Sequence, residues 1–381
     1  MRNKRLDVLR CIAVLLVLAR HGSGRGIPFF VGWVGVDLFF VLSGFLISGL
    51  LFVEYKKRGS IDFKRFFIRR GFKIYPMFYL LLIFTVPEQF VLHKFGPLSN
   101  YLHEIFYVQN YRPGLWGQTW SLAVEEHFYI LLPVFLLVLI HYSRDRVNPF
   151  RAVPTAFLVV ATACLVFRIL TMTSVPAVDL TWAVCGKALT WTHERMDSLF
   201  FGVLLGYVYH FKPSYLNVLE SRRGAFLLAL LAGALLFPCF LFPMTGRFML
   251  TIGLTLLYLG FGIVLMLSLQ VRGVFRGILA WPITQIGSAL AYMGKYSYSI
   301  YIWHIAVASL LPGFIRLASH GRIDLRGNDG FYVVVSIAFG ILVSRLIEYP
   351  LLRVRDRIFP AIQSSIVRPP ASELTTVTTA S

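Results

Sequence analysis

The chain has 381 residues, of which 57% are hydrophobic and only 14% charged, with a formal net charge of +19. Soluble domains carry about 25% charged residues, so this balance, with a mean hydropathy of +0.70, excludes an ordinary soluble domain. It excludes a nucleic-acid binder too, because Lys and Arg sit in clusters between apolar runs rather than on one soluble stretch.

A membrane-spanning helix needs about 20 mostly apolar residues. Runs of this kind fall near 7–21, 29–53, 72–92, 119–142, 150–170, 196–211, 224–243, 248–270, 296–318 and 329–351. They predict an all-α, polytopic membrane bundle of about ten spans in one domain, 1–360. The run at 196–211 is short and gives the weakest signal. Residues 277–293 contain Pro282 and Gly287 and read as an interfacial or re-entrant piece. The start mimics a signal peptide, but Arg10 interrupts the apolar stretch and Arg20-His21-Gly22 offers no small-residue cleavage site, so a retained first helix is expected. Residues 361–381, rich in Ser, Thr, Pro and Ala, read as a disordered cytoplasmic tail. None of the four cysteines forms a CxxC pair, which gives no support to a disulfide or metal framework, and no metal is expected.

With the N-terminus inside, the larger share of basic residues falls on inner segments, most densely in Lys56-Lys57-Arg58, Lys64-Arg65, Arg69-Arg70 and Lys73. That is the asymmetry of cytoplasmic loops. An even number of spans then places both termini in the cytoplasm.

Charged groups inside apolar segments are costly and are functional candidates by default. Arg10 and His21 share the first run. Eleven residues at about 100° each end about 20° past three turns, so the two lie on one helix face roughly 16 Å apart along the axis. The bland reading is a snorkelling arginine and an interfacial histidine. Asp37 lies in Gly35-Val36-Asp37-Leu38-Phe39-Phe40-Val41-Leu42-Ser43-Gly44-Phe45-Leu46, where glycines and Ser43 permit close helix approach. Arg69-Arg70-Gly71-Phe72-Lys73-Ile74-Tyr75-Pro76 is either a topology signal or a phosphate site. In Trp120-Ser121-Leu122-Ala123-Val124-Glu125-Glu126 the adjacent carboxylates diverge by about 100°, so one is expected inward and the other at the interface. Arg195-Met196-Asp197, the Tyr296–His304 stretch and Arg345-Leu346-Ile347-Glu348 follow. Arg345 and Glu348, at i and i+3, have the spacing to pair with each other.

In this order the segments resemble the acyltransferase 3 family of membrane acyltransferases. The resemblance runs over roughly residues 5–355 and rests on Arg10 with His21, the Gly35–Leu46 stretch, Arg70–Pro76, Trp120-Ser121-Leu122-x-x-Glu125-x-x-Phe128-Tyr129, Arg195-x-Asp197, the Tyr-Ser-Tyr run ending at His304, and Glu348-x-Pro350. The family usually shows Arg-x-x-Arg before Ile-x-Pro. Here the second basic position is Lys73, which keeps the charge without the bidentate fork.

The resemblance implies transfer of an acyl group, usually acetyl, from cytoplasmic acyl-CoA to a hydroxyl of a glycan or similar acceptor, often on the far side of a bacterial inner membrane. A sugar hydroxyl needs a base, and neutral histidine suits that role. His21 is the expected base, with Asp37 or Glu125 orienting its ring. Arg10 is expected to hold the donor, and Arg69, Arg70 and Lys73 its phosphates. Ser43, Trp120, Arg195, Asp197, His304 and Glu348 are the expected substrate-binding residues. A polysaccharide or small-molecule transporter, in which the intramembrane charges form a relay, is the alternative. The sequence leaves the acceptor and the oligomeric state open.

Overall fold

The computed structural model describes residues 3–22, 26–92, 96–176, 181–270, 280–320, 322 and 327–360. The expected tail at 361–381 and the start of the 277–293 segment lie outside the described residues. Among the described residues the regular structure is helical throughout, without strands. The principal helices are α1 (Lys4–Arg20), α2 (Gly26–Val31), α3 (Gly35–Arg58), α4 (Phe63–Leu92), α5 (Leu98–Ile105), α6 (Trp120–Tyr142), α7 (Val153–Thr173), α8 (Trp182–Thr190) and α9 (Thr192–Phe211). They continue with α10 (Arg222–Leu236), α11 (Pro238–Leu241), α12 (Leu254–Gln270), α13 (Ala280–Gly294), α14 (Ser297–Ala318), α15 (Asp329–Val343) and α16 (Tyr349–Ile358). Six helical stretches among the described residues are long and apolar enough to cross a membrane: Gly26–Arg58, Gly117–Tyr142, Val153–Thr173, Arg222–Leu241, Met249–Leu269 and Asp329–Ile358. The expected runs on α1, α4, α9 and α14 are helical as well, but do not join those six.

The weak run at 196–211 forms the centre of the bundle as α9, which packs against α3, α6, α7 and α12. The approach of α3 to α9 is set by glycine. A Cβ at Gly44 would stand 2.0 Å from the Leu199 carbonyl oxygen, and one at Gly202 2.4 Å from that of Val41. Only glycines let the backbones come this close.

The segment read as interfacial behaves differently. Its described part, α13, lies along α1, and Gly294 meets the Asp7 carbonyl so closely that a Cβ there would stand 1.8 Å away. A two-residue break then turns the chain into α14. Ala291 is buried there, whereas Tyr292 is 37% exposed.

Candidate functional site

Arg10, on α1, projects into a cavity of about 330 Å³ bounded by α1, α3, α4, α6, α14 and α16. Ser43 and Phe39 come from α3, Arg70 and Lys73 from α4, Ser121 and Glu125 from α6, Tyr298 and Tyr301 from α14, and Arg355 from α16. A second cavity of about 210 Å³ is lined by Arg65, Phe66, Arg69 and Glu54, and shares Ile47, Arg70, Lys73 and Arg355 with the first. The two are neighbouring compartments with a common basic wall.

The polar floor of the larger cavity is connected. Tyr129 donates its hydroxyl to Glu125 Oε2 at 2.6 Å, and Ser43 Oγ meets the same hydroxyl. The Arg70 guanidinium lies 3.7 Å above the Tyr129 ring and 3.8 Å from Glu125 Oε2. Arg10 pairs with the buried Asp7 one turn away at 3.0 Å. It lines the cavity rather than serving only as a snorkelling residue.

The two adjacent carboxylates both turn inward, contrary to the expectation that one reaches the interface. Glu126 is 6% exposed and accepts from Tyr75 of α4 at 3.2 Å. The Tyr75 hydroxyl of α4 is what holds Glu126 inward.

His21 caps the end of α1, with Nδ1 2.9 Å from the Val17 carbonyl oxygen. Its ring stands edge-to-face with His304, centroids 4.9 Å apart. His304 is fully buried; its Nδ1 bonds the Tyr301 carbonyl, and its Nε2 has no hydrogen-bond partner. Tyr301 joins this pair to the cavity. Its ring contacts His304 and Phe39, its hydroxyl donates to the Gln118 carbonyl at 2.7 Å, and it meets Ser121 at 2.6 Å.

The expected carboxylate partners of His21 are engaged elsewhere. Glu125 belongs to the cavity floor, and Asp37 accepts from Arg195 at 2.8 Å. Asp197 in turn pairs with Arg168 at 2.8 Å, and Arg168 also donates to the Glu194 carbonyl and to Thr255 Oγ1. Asp37, Arg168, Arg195 and Asp197 are each at most 2% exposed, so they tie α3, α7, α9 and α12 together inside the bundle. Trp120 packs against Phe40 and beneath Arg195.

Glu348 does not pair with Arg345. It sits in a π-helical turn, Ser344–Glu348, receives bonds from Ser299 and Ser344 at 2.6 Å each, and is ion-paired with Lys73. Arg345 instead bonds the Tyr292 hydroxyl. The extra residue of the π turn displaces the two side chains from the i, i+3 geometry of a regular helix. Ser43 thus lines the cavity, whereas Trp120, Arg195, Asp197, His304 and Glu348 do not.

The sequence motifs leave out Arg65 and Arg355, and they assign no role to Tyr129, Tyr298 or Tyr301. The amphipathic pattern of α16, with Arg353, Arg355 and Arg357 among apolar residues, was the available signal for Arg355. Among the described residues no group of three His, Cys, Asp or Glu could hold a metal ion.

The chain is 28% identical over 339 residues to the peptidoglycan O-acetyltransferase OatA of Listeria monocytogenes, covering 82% of this chain and 50% of that protein. It is 29% identical over 328 residues to YrhL of Bacillus subtilis, a candidate peptidoglycan O-acetyltransferase, covering 80% and 48%. A candidate O-acetyltransferase of Staphylococcus aureus (strain COL) is 28% identical over 383 residues, covering 91% and 56%. The chain therefore spans about half the length of these relatives. No solved structure matches it. The model of the acyltransferase domain matches residues 3–348, nearly the whole sequence, and the chain belongs to that family, acyltransferase 3.

Proposed function

We propose that this protein is a membrane O-acetyltransferase that moves an acetyl group from acyl-CoA, arriving from the cytoplasm, to a hydroxyl of a cell-envelope glycan on the opposite side. The observation that carries this reading is the shared basic wall of the two cavities. Arg70, Lys73 and Arg355 line both cavities and Arg65 and Arg69 the smaller one, a set that suits a ligand bearing several phosphates, while Ser43, Glu125 and Arg10 line the larger. The acetyl group and a peptidoglycan acceptor are supported by the names of the relatives.

In this mechanism His21, its Nδ1–H held by the Val17 carbonyl, offers Nε2 as the base. It takes the proton of the acceptor hydroxyl as that oxygen bonds to the acyl carbon. The carbon–sulfur bond breaks, and the proton leaves with the thiol. Arg10 and Arg70 hold the donor end. The same reading has about ten membrane crossings, both termini cytoplasmic, and a bacterial inner-membrane location.

The test is acetyl transfer by the purified full chain in detergent, with radiolabelled acetyl-CoA and a soluble peptidoglycan oligomer. Labelled oligomer should accumulate, and Arg70→Ala should raise the KM for acetyl-CoA about tenfold, the effect of one lost charge-assisted phosphate contact. Absence of acetyl-CoA-dependent labelling, with the protein folded, sinks the proposal.

A further inference from the structure

Tyr129 touches three of the polar groups that line the larger cavity: Ser43, Arg70 and Glu125. It is 1% exposed and stands one turn after Glu125 on the same face of α6. Its ring lies under the Arg70 guanidinium and its hydroxyl donates to Glu125 Oε2. Ser43 Oγ meets the same hydroxyl, so Ser43, Tyr129 and Glu125 form one hydrogen-bonded group that ends at a carboxylate facing Arg70. Such a chain polarises each member toward its charged end.

Arg70 carries a second sign of an incomplete site. Its Nε is buried and has no hydrogen-bond partner. A buried, unsatisfied guanidinium N–H is costly in a resting protein, and a phosphate or carbonyl oxygen of a ligand would satisfy it. The Tyr129 ring, 3.7 Å from the guanidinium carbon, holds the group at the cavity wall by a cation–π contact.

We infer that Tyr129 is the positioning residue of this cavity, setting Arg70 with its ring and Glu125 with its hydroxyl. The inference rests on the reading of the cavity as the donor site. Its consequence is that the two functions separate by substitution. Tyr129→Phe keeps the ring and loses the hydroxyl, whereas Tyr129→Leu loses both.

The experiment uses the full chain in detergent, with coenzyme A as the probe in titration calorimetry and acetyl-CoA in turnover assays. Tyr129→Phe should bind coenzyme A within about twofold of the unsubstituted protein, while kcat falls about tenfold or more, the effect of losing a hydrogen bond to a charged group. Tyr129→Leu should lose about tenfold in coenzyme A affinity as well, a desolvated cation–π contact being removed. Arg70→Lys keeps the charge without the planar stack, and it should show the same weakening if the leucine variant fails to fold. Normal turnover by Tyr129→Phe, or normal affinity in both Tyr129→Leu and Arg70→Lys, overturns the role of Tyr129. Failure of the unsubstituted protein to bind coenzyme A overturns the donor-site reading itself, and the inference with it.

Discussion

His21 and His304 meet edge-to-face with their centroids 4.9 Å apart, although 283 positions of sequence separate them. Each ring is tied at Nδ1 to a backbone carbonyl one turn back, Val17 for His21 and Tyr301 for His304. The base in the proposed reaction is therefore oriented by main chain and by a second imidazole, rather than by a carboxylate. His21→Gln should lower kcat at least about a hundredfold, the typical contribution of a general base, with little change in melting temperature. Near-normal turnover by His21→Gln would remove it from the mechanism. Asparagine at 304 can still donate to the Tyr301 carbonyl but lacks the Nε2 position, so His304→Asn should fold normally while turnover drops. Full activity in His304→Asn would reduce the contact to packing.

Asp37, Arg195, Asp197 and Arg168 form two buried ion pairs within one cluster, outside the cavity wall. Removing one partner of a buried pair leaves an uncompensated charge and costs about 3–5 kcal/mol. Arg168→Met and Asp37→Asn should therefore each lower the melting temperature substantially, and the folded fraction should keep its affinity for coenzyme A. Unchanged melting temperature with lost turnover in Asp37→Asn would return Asp37 to the reaction.

The buried Glu348 is held by Lys73, Ser299 and Ser344 at the junction of α4, α14 and the turn before α16. Glu348→Gln keeps the size and loses the charge that Lys73 faces. A hydrogen bond to a charged group contributes about 1.5–3 kcal/mol, so this variant should melt earlier while the KM for the acceptor stays within about twofold. A large rise in acceptor KM at unchanged melting temperature would make Glu348 a substrate ligand.

Topology can be read with single cysteines, because all four native ones are buried and unpaired. Ser60 precedes α4 and Leu98, 73% exposed, follows it, so the two flank one long helix. An impermeant thiol reagent added to intact cells should label Leu98→Cys and leave Ser60→Cys unlabelled until the membrane is opened. Strong labelling at position 60 from outside would invert the proposed orientation.

The sequence by itself determined the helical membrane class, because apolar runs of spanning length and the clustering of Lys and Arg are local properties that lipid acts on directly. Helical pitch also predicts a shared face for Arg10 and His21, although α1 ends at Arg20 and His21 is its cap. Whether a charged residue lines a cavity or neutralises a neighbour is decided by what another helix brings to it. Arg70 and Arg195 both stand beside other charged residues in the sequence, yet Arg70 faces a cavity beside Tyr129, whereas Arg195 is matched by Asp37 across the close α3–α9 approach that Gly44 and Gly202 permit. Likewise, Glu348 has the spacing for Arg345, but a π turn gives it to Lys73. Pairing energies act over a few ångströms and between segments far apart in sequence, so only the tertiary structure could assign Asp37 to Arg195, Glu348 to Lys73, and His304 to His21.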